Sequence, residues 1–124
     1  KDHVMDVAIL GASPKTERYS YKASMLLQEY GHRALPVNPY HHSVAGQACV
    51  SSLGAFAAGS VDTVTVYMRE ALLAPHLPEL LDLKPRRVIF NPGSEAPALE
   101  KVLRETGIEC VDACTLVMLR SGSF

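Results

Sequence analysis

Five short runs of aliphatic and β-branched residues, at 4–10, 33–37, 61–67, 87–90 and 108–111, recur along the chain with helix-forming segments between them. This alternation limits the fold more than any other feature of the sequence. Strands joined one after another by helices run parallel, with right-handed crossovers that lay helices on both faces of the sheet. The expected architecture is therefore α/β, with a mainly parallel sheet of five to six strands. With 124 residues, the chain has the common size of one domain, so 1–124 is read as a single domain.

The intervening segments carry their own signals. In 21–30 the apolar positions Ala23, Leu26, Leu27 and Tyr30 fall at i, i+3, i+4 and i+7, which predicts a helix with those residues inward. Ser20 is the expected cap and Gly31 the stop. The second and fourth strands are each closed by Asn-Pro, at Asn38-Pro39 and Asn91-Pro92, because proline cannot donate to a ladder. Within 69–83, Leu73, Leu77, Leu80 and Leu81 share a helical face, and the helix is expected to start near Pro75 or Pro78, where a first-turn proline is tolerated. Residues 96–106 predict a helix with Leu99, Val102 and Leu103 inward. Between 40 and 60 the pattern weakens to loop, with a short edge strand at 48–50 and a helical turn or two at 52–58. The apolar tail 114–119 reads equally as a final helix or one more strand.

In doubly wound sheets ligands sit outside the carboxyl ends of the strands, where the strand order switches. That rule selects residues 11–22 after the first strand, 38–40 after the second, Tyr67 and Met68 after the third, and 91–95 after the fourth. The first of these, Gly11-Ala-Ser-Pro-Lys15, is a glycine turn of small residues feeding a helix. Helix N-termini reached this way hold phosphates through backbone N–H groups. The cations Lys15, Arg18 and Lys22 stand against one acid, Glu17.

A dinucleotide fingerprint would show G-x-G-x-x-G here and an acid about 20 residues later for the ribose hydroxyls. This loop has one glycine, and the second strand ends at Asn38 with no acid. Both departures count against NAD, although basic residues could accommodate the 2′-phosphate of NADP. No G-x-x-x-x-G-K-[ST] exists, so a P-loop is excluded, and the strand ends lack the clustered acids of a phospho-acceptor domain.

The net charge is −1, so nothing global points to nucleic acid or an anionic membrane. No apolar run approaches the roughly 20 residues of a membrane span, and Lys1-Asp-His before the first strand does not read as a signal peptide. A segment upstream of Lys1 stays open. Cys49, Cys110 and Cys114 form an odd set without C-x-x-C spacing, expected to be core thiols in a reducing cytoplasm. Adjacent His41 and His42 would face opposite ways on a strand, so a shared metal is not expected; His3, His32 and His76 are read as solvated. Tyr19, Tyr21 and Tyr30 are read as packing residues, with Tyr19 also able to flank an adenine. Asp62 and Asp112 are read as caps or turn residues. No acid–base pair or activated nucleophile can be argued from the spacing.

Six pieces in order, Gly11-Ala-Ser-Pro14, Arg18-Tyr-Ser-Tyr-Lys22, Pro36-Val-Asn-Pro39, Val61-Asp-Thr-Val64, Val88-Ile-Phe-Asn-Pro-Gly93 and Cys114-Thr-Leu-Val117, resemble the small stand-alone CoA-binding proteins of bacteria and archaea. These are similar to the N-terminal CoA-binding domain of the succinate–CoA ligase α subunit. The resemblance spans nearly the whole chain and implies a Rossmann-like fold that binds coenzyme A at the carboxyl end of its sheet. It implies that Gly11, Ala12, Ser13, Pro14 and Lys15 wrap the pyrophosphate, with Arg18 and Lys22 on the pyrophosphate or the 3′-phosphate. It implies Asn38, Pro39 and Tyr40 on the adenosine side, and Tyr67, Met68 and Arg69 on the other wall. Asn91, Pro92, Gly93 and Ser94 would face the pantetheine arm. The ligase's phosphorylated histidine belongs to a second domain that this chain lacks. The expected function is non-covalent binding of coenzyme A or an acyl-CoA by a carrier, sensor or partner module without catalysis of its own. The alternatives are an NAD(P)-binding oxidoreductase and a non-catalytic enzyme subunit docking through its apolar tail. A homodimer or a partner enzyme stays open.

Overall fold

The computed structural model describes residues 4–124; the expectations for His3 and for Lys1-Asp-His lie outside the described residues. In chain order the elements are β1 (Asp6–Leu10), α1 (Tyr19–Glu29), β2 (Arg33–Val37), a hairpin of β3 (Ser43–Val44) and β4 (Gln47–Ala48), and a 3-10 turn at Leu53–Ala55. There follow β5 (Thr63–Val66), α2 (Glu70–Leu73), a 3-10 turn at Ala74–His76, α3 (Leu77–Leu83), β6 (Arg87–Phe90), α4 (Pro97–Glu105), β7 (Glu109–Asp112) and α5 (Thr115–Ser121).

The five longer strands form one parallel sheet in the order β2-β1-β5-β6-β7, giving the Rossmann-like α/β fold that the alternation predicts. From β1 the chain winds to β2 on one side, then returns to β5 on the other side of β1. The strand order therefore switches between β1 and β5, and a crevice opens above their carboxyl ends.

Strand alternation assigns the two faces. Ala8 and Leu10 of β1, Val64 and Val66 of β5, and Val88 and Phe90 of β6 point to one face, where Leu73, Leu80, Leu83 and Leu103 cover them. Fully burying a side chain such as Leu80 or Leu103 is worth roughly 1.5–3 kcal/mol. Val7 and Ile9 point the other way, onto Leu27 of α1 and Leu119 of α5. The tail is thus a helix, packed beside α1. On this second face Thr63, Thr65 and Arg87 are buried polar residues, set beside the apolar cluster of Val7, Ile9, Leu27 and Leu119. The Arg87 guanidinium donates to Thr63 Oγ1 at 3.2 Å and lies over the Phe124 ring, 4.5 Å from its centroid.

Several expectations are corrected here. β1 begins at Asp6, not Val4, because its neighbour β2 begins at Arg33, opposite Asp6, and Val4 is left exposed. Ser20 does not cap α1: the helix starts at Tyr19 after an extended Arg18, and Ser20 is buried one turn before Ser24, whose hydroxyl donates to the Ser20 carbonyl. The buried stripe of α1 is Ser20, Ala23, Ser24 and Leu27, which leaves Tyr30 exposed and Leu26 half-buried. Tyr19 is also exposed, so of the three tyrosines Tyr21 packs against the core. The predicted edge strand at 48–50 divides: Gln47–Ala48 pairs with Ser43–Val44, and Val50 alone bridges to Val37.

Pro78 falls in the first turn of α3, as expected, while Pro75 sits in the 3-10 turn before it. His32 is not solvated: its Nδ1 accepts from the Met5 N–H at 3.1 Å and its ring tilts against Phe124. His76 pairs with Glu79 at 3.3 Å. Cys110 is buried and burial raises its thiol pKa to about 11, whereas Cys49 and Cys114 are half-buried.

Candidate functional site

At the end of β1 the chain turns through Gly11 at φ +88°, a conformation that L side chains rarely adopt. The turn also brings the backbone against β5, since a Cβ on Gly11 would stand 2.7 Å from the Tyr67 carbonyl oxygen. The loop is then tied down twice. The Ala12 N–H donates to the Val37 carbonyl at 3.3 Å, and Asn38 Nδ2 donates to the Ala12 carbonyl at 2.7 Å. Ser13 Oγ accepts from the Lys15 N–H at 3.1 Å, which shapes the approach to α1. Among the described residues no side chain caps the N-terminus of α1, and no acid lies in its first turn. Its first N–H groups and the positive end of its dipole are therefore free for an anion.

These residues form one wall of a cleft of about 310 Å³, to which Gly11, Ser13, Arg18, Tyr19 and Ser20 contribute. The second wall is Tyr67, Met68 and Arg69 after β5, and the third is Pro92, Gly93 and Ser94 after β6. The cleft lies at the crossover in strand order. Two guanidiniums, Arg18 and Arg69, line it, and among the described residues neither stands in an ion pair. Glu95, the nearby acid of the β6 loop, spends a carboxylate oxygen on the Gly93 N–H at 3.0 Å.

The remaining residues singled out in the sequence are placed elsewhere. Pro14, Lys15 and Lys22 are exposed and do not line the cleft, and the Lys22 ammonium sits 5.3 Å from the centroid of the Tyr19 ring. Ala12 is buried. Asn38, Pro39 and Tyr40 lie beyond the β1 loop on the β2 side. Both ends of the Asn38 amide are occupied, Nδ2 by Ala12 and Oδ1 by the Tyr40 N–H at 2.8 Å.

Asn91 lies beneath the cleft, 3% exposed. Its Nδ2 donates to Thr65 Oγ1 at 2.7 Å and to the Val66 carbonyl at 2.9 Å, and its Oδ1 accepts from the Thr115 N–H at 2.8 Å. Thr65 and Thr115 join through their hydroxyls at 2.8 Å. This one amide thus holds together the ends of β5 and β6 and the start of α5. Sequence reasoning missed Thr65 and Thr115, because their partnership spans 50 residues and has no local signature. It also read Ser20 as a cap, although a small residue on the stripe of Ala23 and Leu27 could have marked it as buried.

Beside this network the Tyr67 hydroxyl is buried near the Thr65 and Thr115 hydroxyls but, among the described residues, makes no hydrogen bond of good geometry, and burial raises its pKa to about 12, so it stays protonated. An unpaired buried hydroxyl costs free energy that its removal returns. Tyr67→Phe is expected to leave stability unchanged or to raise it by up to about 1 kcal/mol in urea unfolding. A loss of more than about 1 kcal/mol would show that the hydroxyl has a partner in solution.

A larger hollow of about 860 Å³ lies at the opposite, amino end of the strands. Its charges are largely matched, Arg33 with Asp6 at 3.2 Å and Arg86 with Asp62 at 3.0 Å, and it lies away from the switch point. The smaller cleft is the better candidate because, among the described residues, its guanidiniums stand in no ion pair and a helix N-terminus opens onto it. Among the described residues no cluster of His, Cys, Asp and Glu could hold a metal ion, and no helix is long and apolar enough to cross a membrane.

A cleft at the switch point of a parallel sheet, with an uncapped helix N-terminus and unpaired guanidiniums, is how α/β proteins hold phosphate-bearing ligands. The chain belongs to the CoA binding domain family, whose pattern it matches over residues 5–120. It is 33% identical over 76 residues to the uncharacterized protein YneT of Bacillus subtilis, an alignment spanning 61% of this chain and just over half, 56%, of that relative. A solved structure of an uncharacterized protein superposes with a TM-score of 0.92 at 41% identity, covering 99% of this chain and 100% of the other. The fold is also similar to part of a dinucleotide-forming acetyl-coenzyme A synthetase from Ca. Korarchaeum cryptofilum, with a TM-score of 0.75 at 14% identity. That match covers 88% of this chain and 25% of the synthetase.

Proposed function

We propose that this chain binds coenzyme A or an acyl-CoA non-covalently, as a single-domain carrier or sensor without catalysis of its own. The observation that carries the reading is the cleft between the β1, β5 and β6 loops, with the free N-terminus of α1 and Arg18 on one wall, in a member of the CoA binding domain family. In this reading the pyrophosphate rests on the Gly11–Lys15 loop and the first turn of α1. The adenosine extends toward Asn38, Pro39 and Tyr40, with Lys22 and Tyr19 flanking it, and the pantetheine arm runs toward Pro92, Gly93 and Ser94. Asn91 acts from beneath by holding that loop. Asn38 offers no carboxylate for ribose hydroxyls and its amide is already engaged, which favours a CoA ligand over NAD.

Calorimetry on the folded protein tests this. Coenzyme A is expected to bind with one-to-one stoichiometry, and NADPH is not. Arg18→Ala is expected to weaken coenzyme A by about tenfold or more, the usual effect of losing a charge-assisted bond to phosphate. Binding should also weaken with added salt, since the cleft is open to solvent. No heat with coenzyme A, acetyl-CoA or dephospho-CoA would overturn the proposal.

A further inference from the structure

The coenzyme A reading, on which this inference rests, asks two separate loops to hold one molecule. The pyrophosphate lies on the loop after β1 and the adenosine on the loop after β2, and in the ligand a short covalent frame joins them. Packing holds little of either loop. Pro14, Lys15, Thr16 and Glu17 are exposed on the first, and Pro39, Tyr40, His41 and His42 on the second, with Tyr40 86% exposed.

The Asn38 side chain stands between the two. Its Nδ2 donates to the Ala12 carbonyl at 2.7 Å, in the first loop, and its Oδ1 accepts from the Tyr40 N–H at 2.8 Å, in the second. Among the described residues, the bond to Ala12 is the one side-chain hydrogen bond from the first loop to the second. The longer bond from the Ala12 N–H to the Val37 carbonyl, at 3.3 Å, ends on β2 itself. A carboxamide is needed for both contacts, because it donates at one end and accepts at the other. The backbone of Asn38 is anchored without that amide, since its own N–H donates to the Val50 carbonyl at 2.9 Å. The tip of β2 therefore keeps its place if the side chain is removed, and what is lost is the link between the loops.

We propose that Asn38 is a positioning residue, whose amide sets the spacing of the phosphate loop and the adenosine loop so that both halves of coenzyme A are met at once. It touches no part of the ligand. Two exposed loops already fixed relative to each other need not be ordered on binding, and a ligand that spans both gains from this. A fragment that uses one loop gains little, because the benefit comes from joining two contacts in one molecule.

The test compares the unmodified protein with Asn38→Ala and Asn38→Ser. Serine keeps an acceptor for the Tyr40 N–H but has no amide to reach Ala12, so it isolates the link between the loops. Circular dichroism checks that both variants fold. Calorimetry reads coenzyme A, and NMR titration reads its two halves, adenosine 3′,5′-bisphosphate and 4′-phosphopantetheine. Coenzyme A is expected to bind about tenfold or more weakly to both variants, with each half within about threefold of its affinity for the unmodified protein. Unchanged affinity for coenzyme A in either folded variant overturns the proposal. An equal loss for coenzyme A and adenosine 3′,5′-bisphosphate also overturns it, by making Asn38 a direct contact of the ligand. If coenzyme A does not bind the unmodified protein, the coenzyme A reading itself fails, which is a different result from binding that Asn38 does not influence.

Discussion

Gly11→Ala is expected to lower stability by about 3–5 kcal/mol, a large part of what holds a domain of this size together. Two effects add. Its φ of +88° places any L residue in a strained region, and the new Cβ would meet the Tyr67 carbonyl oxygen at 2.7 Å. That oxygen is backbone, and the bond from the Tyr67 N–H to the Leu10 carbonyl at 2.9 Å holds the end of β5 against β1 here, so the chain cannot simply move aside. The β1 and β5 ends would have to part where the cleft is built. Gly93→Ala separates the two effects: its φ is +91°, but nothing lies within 4 Å of a Cβ there. It should cost only the conformational part, about 1–2 kcal/mol. Urea unfolding of both variants gives the comparison, and equal losses would mean that the contact with Tyr67 is unimportant.

Asn91→Ala is expected to cost about 3–4 kcal/mol, since it strips the Thr115 N–H of its partner and leaves Thr65 and Val66 without their donor, all in a buried site. Asn91→Asp gives a pH-dependent version of the same loss. A carboxylate can still accept from Thr115, but it must face the Val66 carbonyl as a buried anion. Burial raises the pKa of such an acid above its unfolded value, so the folded state holds more protons and stability falls as pH rises through that interval. On acidification the protonated acid can donate again. Unfolding curves at pH 4.5 and 7.5 should therefore bring Asn91→Asp closer to the parent protein at the lower pH. A deficit independent of pH would place the side chain in contact with water, contrary to its 3% exposure.

The elements were legible to different depths. The β2 and β6 strands could be read to the residue, because each is closed by Asn-Pro, a signal contained in two neighbouring positions. Helix α1 was legible as an element but its buried face was not. Periodicity weighs Tyr30 and Leu26 as apolar, whereas the sheet and α5 leave room for the small Ser20 and Ser24. The ambiguous tail became a helix because β5 and β6 present Thr63, Thr65 and Arg87 on that face, and the Asn91 amide is there to receive the Thr115 N–H. Residues chosen by the strand-end rule divide in the same way. Gly11, Ser13, Arg18, Tyr19, Tyr67, Met68, Pro92 and Gly93 meet at one cleft, whereas Asn38 and Asn91 turn their amides into the protein.

By itself the sequence determined that this chain is a parallel α/β protein with a glycine turn and a cationic helix start after its first strand. Those properties follow from the local alternation of apolar runs and from residue types that accept only certain backbone conformations. Tertiary structure alone decided the strand order, and with it which loops share a crevice. It also decided that Arg69 and Arg18 line one cleft and that Tyr67 closes against Gly11. These pairings join residues some fifty positions apart along the chain, brought together by the burial of two faces of one sheet, a property that no single segment carries.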